Sequence, residues 1–334
     1  MVRKALLTLC LLGLLLSAAA LLVPPGAFCL TCRTAFGPEK PRLILRQGLV
    51  WRAQDPHFGG MSGLEVTQNG HLLLSLSDRG HLFETKISRD PTDGTITALD
   101  LTRITTLLTR KGRPLSPFRQ DAEDLAEGPQ GDLFVAFEGL SRIAKYPRHP
   151  ADPQQGHIAK DLNIWDRFEA RFGNNGFEAL IAFPDSDLLV IAEAANAEID
   201  VGTGAPAFLY RKGHWERVSD VPTSAGFSVS SADIGPDGKL WILERQLGWA
   251  GFMTRIRTFE IHKTEAQVTL GPPETLLQGY LGPRDNFEGL SVWQTNNGCT
   301  IATLIADDGF SRLQRTALTE FFLSDPQSEQ RCDL

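Results

Sequence analysis

The sequence predicts an all-β chain folded as a β-propeller of five blades. One unit, consisting of a polar or acidic start, a strand, a turn and a second strand, occurs five times along the chain. Its aligned apolar residues are separated by 61, 55, 54 and 56 residues, and they are Leu64, Leu125, Leu180, Ile234 and Leu290. A near-constant period indicates a repeat architecture. Each repeat offers about four strands in roughly 55 residues, which is the content of one propeller blade.

Composition and spacing separate this fold from its alternatives. The 334 residues include 31 Gly and 20 Pro, which suit many short strands joined by turns. A β-sandwich is the main competitor, but nothing in a sandwich requires a fixed period. The longer first interval leaves a sixth, degenerate blade open.

The second strand of each unit is a nearly continuous apolar run, which predicts a buried strand. These runs are residues 72–79, 133–138, 188–193, 240–245 and 300–308. Alternating or β-branched segments supply the outer strands, and they are residues 81–84, 96–108, 142–146, 208–211, 214–218, 254–261, 267–277 and 312–323. A strand pair at 43–45 and 49–51 precedes the first repeat. In a closed ring such a strand completes the last blade and hides both edges, so we expect closure by the N-terminal strand.

The first residues do not belong to the propeller. Arg3 and Lys4 precede an apolar run at 5–23, which is long for a cleaved signal peptide and just long enough to span a bilayer. A cleaved signal and a retained inner-membrane anchor both place the remainder in the periplasm or outside the cell. The expected division is a signal peptide or anchor at 1–23, a linker with a cysteine pair at 24–41, a propeller domain at 42–323 and a tail at 324–334.

Four cysteines follow the apolar run, and they are Cys29, Cys32, Cys299 and Cys332. An even number in an exported chain predicts two disulfides, with three connectivities that the sequence does not separate. A four-cysteine zinc site is disfavoured because there is only one C-x-x-C pair. We favour disulfides that tie the N-terminal segment to the last repeat.

The charge balance limits the partners. Lys and Arg total 33 against 40 Asp and Glu, which gives a net charge of −7. Without a basic stripe, nucleic-acid binding is excluded. We expect a monomer that meets a membrane only through residues 5–23.

Acidic residues recur at both ends of the two-strand unit. Because the two strands are antiparallel, the start of the first and the end of the second lie at the same end of a blade. Glu123, Glu178 and Glu288 share one aligned position at the start of the first strand, where the first repeat has Ser62 and the fourth has Ala232 beside Asp233. The end of the second strand carries Asp78, Glu138, Glu193, Glu244 and Asp307 with Asp308. A closed ring would bring both sets to one mouth of the central channel.

Clustered carboxylates cannot all stay ionised without compensation. The alternatives are ion pairs that lock neighbouring blades, raised pKa values, or a hard cation such as Ca²⁺ held by several oxygens. Arginines accompany the acids, and Arg79, Arg245 and Arg312 are the candidates for binding a substrate anion. Ser62 has no identifiable base for nucleophilic attack, and the seven histidines show no zinc-binding pattern.

Several segments carry a resemblance to a known family. They are Gly60–Leu64, Ser77–Gly80, Asp121–Leu125, Asn175–Leu180, Asn286–Leu290 and Asp307–Ser311. Together they resemble the phytase-like family, described as "esterase-like activity of phytase", over nearly all of residues 42–323. The resemblance implies an exported bacterial β-propeller. By analogy with calcium-dependent propeller phytases, it also implies phosphoric-ester hydrolysis with Ca²⁺ held by acidic residues around the channel, although individual ligands are not matched.

We therefore expect an exported hydrolase of a phosphate ester, that is, of a small anionic substrate. Glu123, Glu178 and Glu288 are the candidates for metal binding or water activation. Asp78, Glu138, Glu193, Glu244, Asp307 and Asp308 are the further candidate metal ligands. The alternatives are a non-catalytic propeller that binds a ligand or an envelope partner and, more weakly, a carboxylic-ester or lactone hydrolase.

Overall fold

The structure, a computed structural model, describes residues 42–148, 157–158, 160–162, 164, 176–193, 204–224, 226–249, 251–264, 267–282, 285–311, 313–324 and 332. These residues form strands and turns, with no helix among them. No segment within these ranges is therefore a helix long and apolar enough to cross a bilayer. The predicted signal or anchor, the linker with Cys29 and Cys32, and the candidate Arg312 lie outside the described residues.

Strand β1 (Leu43–Val50) opens the described chain, and five blades follow it. The first blade contains β2 (Met61–Thr67), β3 (Leu72–Ser77), β4 (His81–Arg89) and β5 (Ile96–Leu108). The second contains β6 (Ala122–Glu127), β7 (Leu133–Phe137) and β8 (Arg142–Tyr146). It is completed, after the short β9 (His157–Ile158) that pairs with β5, by β10 (Lys160–Leu162). The third contains β11 (Phe177–Ala182), β12 (Leu188–Ala192), β13 (Ala207–Arg211) and β14 (His214–Arg217).

Two more blades complete the ring. The fourth contains β15 (Ser228–Ile234), β16 (Leu240–Gly248) and β17 (Gly251–Phe259). After the hairpin of β18 (Ile261–Lys263) and β19 (Val268–Leu270), β20 (Glu274–Gly279) is its outer strand. The fifth contains β21 (Asn286–Gln294), β22 (Thr300–Asp307) and β23 (Ala317–Leu323), with β1 as the outer strand. The described residues thus form five blades, as predicted.

The N-terminal strand closes the ring as expected. Strand β1 pairs antiparallel with β23 from Leu43 opposite Leu323 to Val50 opposite Ala317. The two short strands predicted at 43–45 and 49–51 are one strand with an irregularity between Leu45 and Gln47. An outer strand supplied by the beginning of the chain joins the first and last segments, so opening the ring requires breaking this ladder.

Apolar side chains fill the spaces between neighbouring blades. Leu64, Phe83, Trp293, Ile305 and Phe322 belong to one buried cluster between the first and fifth blades. Four comparable clusters occupy the other interfaces. This packing explains why the second strands of the repeats are continuous apolar runs, since both faces of each central strand meet a neighbouring blade.

One disulfide joins Cys299, in the turn between β21 and β22, to Cys332 in the tail. The preferred sequence-based pairing, in which Cys299 or Cys332 bonds to the N-terminal segment, is therefore wrong. Both partners follow the fifth blade's first strand, so the bond fastens the tail to the last blade.

Candidate active site at the mouth of the channel

The innermost strand of every blade carries a β-bulge at the same register. The bulged residues are Ser62, Glu123, Glu178, Ser230 and Glu288. A bulge leaves one residue out of the strand pairing and redirects its side chain, and bulges are frequent next to active sites. The local geometry thus places the three predicted glutamates at one equivalent position around the ring.

This register corrects the alignment of the fourth repeat. The residue equivalent to Glu123 is Ser230, two positions before the predicted Ala232. At the end of the second strand, Arg245 lies opposite Ser228 and takes the place predicted for Glu244. The equivalent positions in the other blades hold Asp78, Glu138, Glu193 and Asp307. An arginine therefore replaces the fourth blade's carboxylate.

Glu244 itself lies one position deeper and is fully buried. Its carboxylate accepts hydrogen bonds of 2.6–2.8 Å from the guanidinium groups of Arg255 and Arg257. Both oxygens are already occupied by these cations, and the residue has no surface through which a metal ion would reach it. The prediction of Glu244 as a metal ligand fails for this reason.

Five carboxylates from the second and third blades meet at the mouth. One oxygen each from Asp121, Glu123 and Glu138 lies within 4.8 Å of the others, and the same holds for Glu138, Glu178 and Glu193. The two groups share Glu138. We call these five residues the mouth carboxylates. Of the six predicted ligands, Glu138 and Glu193 belong to this cluster, whereas sequence reasoning did not select Asp121.

Burial dominates the electrostatics of this cluster. Desolvation, together with the charges of neighbouring carboxylates, raises the pKa of Glu178 to about 8 and that of Glu138 to about 7. Desolvation and the charges of Glu178 and Glu138 raise the pKa of Glu123 well above its usual range. Desolvation also raises the pKa of Asp121. Without a cation, the cluster is thus partly protonated at neutral pH.

Arg245 is the cation that faces this cluster among the described residues. It lowers the pKa of Glu178 and Glu193 through its charge. Its Nη1 donates hydrogen bonds to Glu288 and, at 3.2 Å, to Asn286. The third predicted glutamate, Glu288, is thus connected to the cluster through Arg245 rather than being part of it.

The remaining predicted ligands form a separate acidic group by the first blade. Asp78 has its pKa raised to about 7 by burial and by the charge of Asp307. Its Oδ1 is buried and has no hydrogen-bond partner. Asp308 is instead saturated, because its oxygens accept from the backbone N–H groups of Gly60 and Phe310 and from the Thr316 hydroxyl. Asp308 therefore fixes a loop.

Arg79 lies beside this group. Its guanidinium carbon is 3.3 Å from the centre of the Phe310 ring, a cation–π contact that leaves the edge of the guanidinium available for an anion. Arg79 and Arg245 are the two predicted anion-binding residues that the structure describes.

Two serines support the glutamates from the neighbouring blades. The Ser62 hydroxyl donates to the Ala122 carbonyl at 2.5 Å, directly before Glu123. The Ser230 hydroxyl donates to the Phe287 carbonyl at 3.3 Å, directly before Glu288. Ser62 is also 1% exposed, so its part is to hold the next blade's bulge in place.

A second set of acids lies deeper in the channel and was missed by sequence reasoning. We call Glu65, Asp124 and Asp233 the channel carboxylates. Each accepts a backbone N–H from the next blade: Glu65 from Glu127 at 3.2 Å, Asp124 from Leu180 at 3.0 Å, and Asp233 from Val292 at 2.6 Å. A polar residue on alternate positions of an innermost strand is the signal that could have revealed them.

The mouth carboxylates suit a hard divalent cation. Calcium prefers six to eight oxygen ligands, often from carboxylates. Glu178 is only 5% exposed, and no hydrogen-bond donor among the described residues reaches its carboxylate. The two sets of three carboxylate oxygens that share Glu138 fit the donor set of such an ion. Glu178, which is buried and accepts no hydrogen bond from a described residue, belongs to one of them. The mouth carboxylates could therefore hold a metal ion.

Comparison with known proteins gives one family. Residues 56–310 match the family model "Phytase-like", which is described as esterase-like activity of phytase. No curated protein matches the chain.

Among solved structures, similar folds include the PQQ-bound aldose sugar dehydrogenase of Streptomyces coelicolor, at 13% identity and a TM-score of 0.39, covering 82% of this chain and 97% of that one. A putative gluconolactonase matches at 13% identity and a TM-score of 0.43, covering 87% and 99%. A streptogramin B lyase matches at 9% identity and a TM-score of 0.40, covering 82% and 97%. At such identities these similarities carry no information about the reaction.

Proposed function

Because this chain belongs to the phytase-like family, we propose that it is a hydrolase of phosphate esters, assisted by a divalent cation at the mouth of the propeller. The observation that carries the proposal is the cluster of five carboxylates around Glu138, in which Glu138 and Glu178 are buried, the other three are half-buried, and none is within ion-pair distance of a described cation. Buried charges are ordinarily paired or coordinate a metal. Calcium is the ion we propose, since all the donors are carboxylate oxygens.

The mouth carboxylates would hold the cation. A bound divalent ion lowers the pKa of a coordinated water and offsets charge on the phosphoryl group. The residues themselves change protonation on loading, because Glu178 and Glu138 hold protons near neutral pH and must release them to act as ligands. Cation binding is therefore expected to release protons and to tighten as the pH rises.

The two described arginines bind the substrate anion. Within the described residues, every hydrogen bond of the Arg245 guanidinium uses Nη1, which leaves Nε and Nη2 to form a fork on a phosphoryl oxygen pair. Glu288 and Asn286 hold the guanidinium in position from the other side. Arg79, stacked on Phe310, supplies a second donor at the first blade.

Export is part of the proposal. The apolar run at 5–23 follows two basic residues, as in a signal peptide or an anchor. The bond between Cys299 and Cys332 is of a kind that persists in oxidising compartments. Both observations support a periplasmic or secreted protein.

The test is calcium titration by calorimetry together with turnover of phenyl phosphate and of a diphenyl phosphodiester. Glu138→Gln, which changes the residue shared by both oxygen groups, should weaken calcium binding and lower kcat/KM by about 100-fold. Glu216→Gln, an exposed acid on β14, is the matched control and should change neither.

The outcomes separate the alternatives. A chain that binds no calcium and turns over neither ester would instead be a binding propeller. Turnover of phenyl acetate with neither phosphate ester would identify a carboxylic-ester hydrolase and reject the phosphate substrate.

A further inference from the structure

The fourth blade carries a projection that the first and second blades lack. Strands β16 and β17 continue past Arg245 by three residue pairs, ending at Gly248 opposite Gly251. At about 3.3 Å per residue, this hairpin extends roughly 10 Å beyond the ring of carboxylates. In the first blade the chain turns back directly after Asp78, and β4 begins at His81. We call residues 246–249 and 251–253 the fourth-blade finger.

The finger presents apolar side chains to solvent. Trp249 at its tip is 97% exposed and Leu247 is 74% exposed. The other tryptophans described, Trp51, Trp215, Trp241 and Trp293, are all less than 9% exposed. Aromatic side chains exposed beside a polar site are typical anchors for a binding partner, because they bury a large area with little loss of conformational freedom.

The finger is held rigidly by its neighbours. A Cβ atom at Gly248 would clash with the Tyr280 hydroxyl, and one at Gly226 would clash with the Gln246 amide. The finger backbone at Gly248 therefore packs against the Tyr280 side chain, and the finger side chain of Gln246 packs against the backbone at Gly226. A braced hairpin keeps Trp249 in position before binding, which reduces the entropy that binding must overcome.

Charge restricts what the finger can receive. Among the described residues, Arg79 and Arg245 are the two arginines placed to bind phosphoryl oxygens at the mouth, so a substrate with many phosphoryl groups would leave most of its charges without an arginine partner. A substrate with one phosphoryl group can bind one or both of these guanidinium groups and needs further binding energy from contacts to the rest of the substrate. The finger begins at the residue that follows Arg245, so an apolar substituent on the ester can contact it while the phosphoryl group meets that arginine.

We propose that the fourth-blade finger binds an apolar substituent of the substrate, which makes the substrate a phosphate ester of low charge with an aromatic or aliphatic group. This inference rests on the proposed hydrolysis. It assigns Trp249 and Leu247 to substrate specificity, outside the reacting centre.

Kinetics on two esters test the assignment. In Trp249→Ala, the KM for naphthyl phosphate should rise about tenfold, since one aromatic contact contributes on the order of one tenfold step in affinity. The values of kcat for this ester and both constants for methyl phosphate should stay unchanged. Leu247→Ala should shift KM in the same direction by less. Ile44→Ala, which truncates a 43% exposed residue on β1, is the control and should alter nothing.

Tryptophan fluorescence gives a readout that does not need turnover. Naphthalene-methyl phosphonate, which is not an ester, should change the wild-type emission, and the change should vanish in Trp249→Phe. If no ester is hydrolysed but this change is seen, the hydrolase proposal fails and the apolar binding site stands.

Three results would overturn the inference. The first is an equal loss for naphthyl and methyl phosphate in Trp249→Ala. The second is unchanged kinetics in that variant with loss of co-sedimentation with phosphatidylcholine vesicles, which would assign the finger to a membrane surface. The third is unchanged kinetics with loss of a dimer in size-exclusion chromatography, which would assign it to a second copy of the chain.

Discussion

The mouth and the interior of the channel contain the same kind of residue in similar surroundings, yet they differ in one respect. Desolvation raises the pKa of Glu178 to about 8 at the mouth and that of Asp233 to about 7 in the channel. The channel carboxylates, however, each accept a backbone N–H from the next blade. No described donor reaches Glu178. A raised pKa alone therefore does not identify a functional site, and hydrogen bonding to the backbone separates Glu178 from the channel carboxylates.

The distinction has a structural origin. The innermost strand of a blade has no further strand on its channel side, so its outward N–H groups need other acceptors. The Asp124 carboxylate accepts the Leu180 N–H. The Ser231 hydroxyl accepts the Leu290 N–H and donates to the Asp124 carboxylate. Carboxylates and hydroxyls thus take the place of a missing strand between blades. At the mouth, Glu138 also accepts a backbone N–H from the next blade, that of Gly176 at 3.3 Å, whereas Glu178 accepts none from a described residue.

The largest expected difference between the channel and mouth carboxylates is in the free energy of unfolding of their variants. Asp124→Ala removes the acceptor for the Leu125 and Leu180 N–H groups and for the Ser231 hydroxyl. Leaving buried donors unsatisfied should lower the free energy of unfolding by about 3 kcal/mol. Glu178→Gln orphans no donor and removes like-charge repulsion, so in chelator its stability should equal or exceed that of the wild type. Urea denaturation measures both, and a reversed order would mean that the mouth acids lock the blades.

How far the sequence predicts this division can be traced through single residues. The repeat period located Glu123, Glu178 and Glu288 correctly, because their motif is constant. It misplaced the fourth repeat, since Asp233-Ile234 mimics the acidic-apolar pair of the other units and nothing in the sequence shows a bulge at Ser230. The shift made Glu244 a ligand and hid the place of Arg245 in the ring.

Glu65 and Asp124 illustrate a second limit. In a single strand, polar residues at alternate positions predict a solvent-facing side. In a propeller the corresponding side of the innermost strand is the channel, where each polar group meets the next blade. Only the closed ring shows that Glu65 pairs with a residue 62 positions later. Contacts of this kind depend on the curvature of the whole assembly, which local patterns do not contain.

An effect of intermediate size is expected in how the free energy of unfolding changes with pH, and it should distinguish the mouth carboxylates from the channel carboxylates. A carboxyl whose pKa is raised by folding binds its proton more tightly in the native state, so stability falls as pH rises from its usual value of 4.5 through the raised one. For Glu178 and Glu138 this window closes at about 8 and about 7. Calcium should reduce this decline by binding the ionised forms.

The measurement is urea denaturation at pH values from 5 to 8, in steps of about one pH unit, once with a chelator and once with calcium. Glu178→Gln should also flatten the chelator curve. The part of the fall in stability that is due to the channel carboxylates should persist with calcium and in Glu178→Gln. These residues are not among the proposed cation ligands, and their carboxylates already accept backbone N–H groups. A calcium-independent slope would argue against a cation at the mouth.

The smallest expected effect on stability is that of removing the Ser62 hydroxyl, which holds the bulge that carries Glu123. Ser62→Ala deletes the hydrogen bond to the Ala122 carbonyl, and one neutral hydrogen bond contributes about 1 kcal/mol to the free energy of unfolding. Ser230→Ala, the equivalent change in the fourth blade, should cost about the same. The functional effects should differ, because Ser62 supports Glu123 in the carboxylate cluster whereas Ser230 supports Glu288, which reaches it only through Arg245. Calcium affinity should therefore fall in Ser62→Ala and stay unchanged in Ser230→Ala, as measured by calorimetry. Equal losses in both variants would show that the five bulges respond as one ring, and the separation of the metal-binding side from the arginine side would fail.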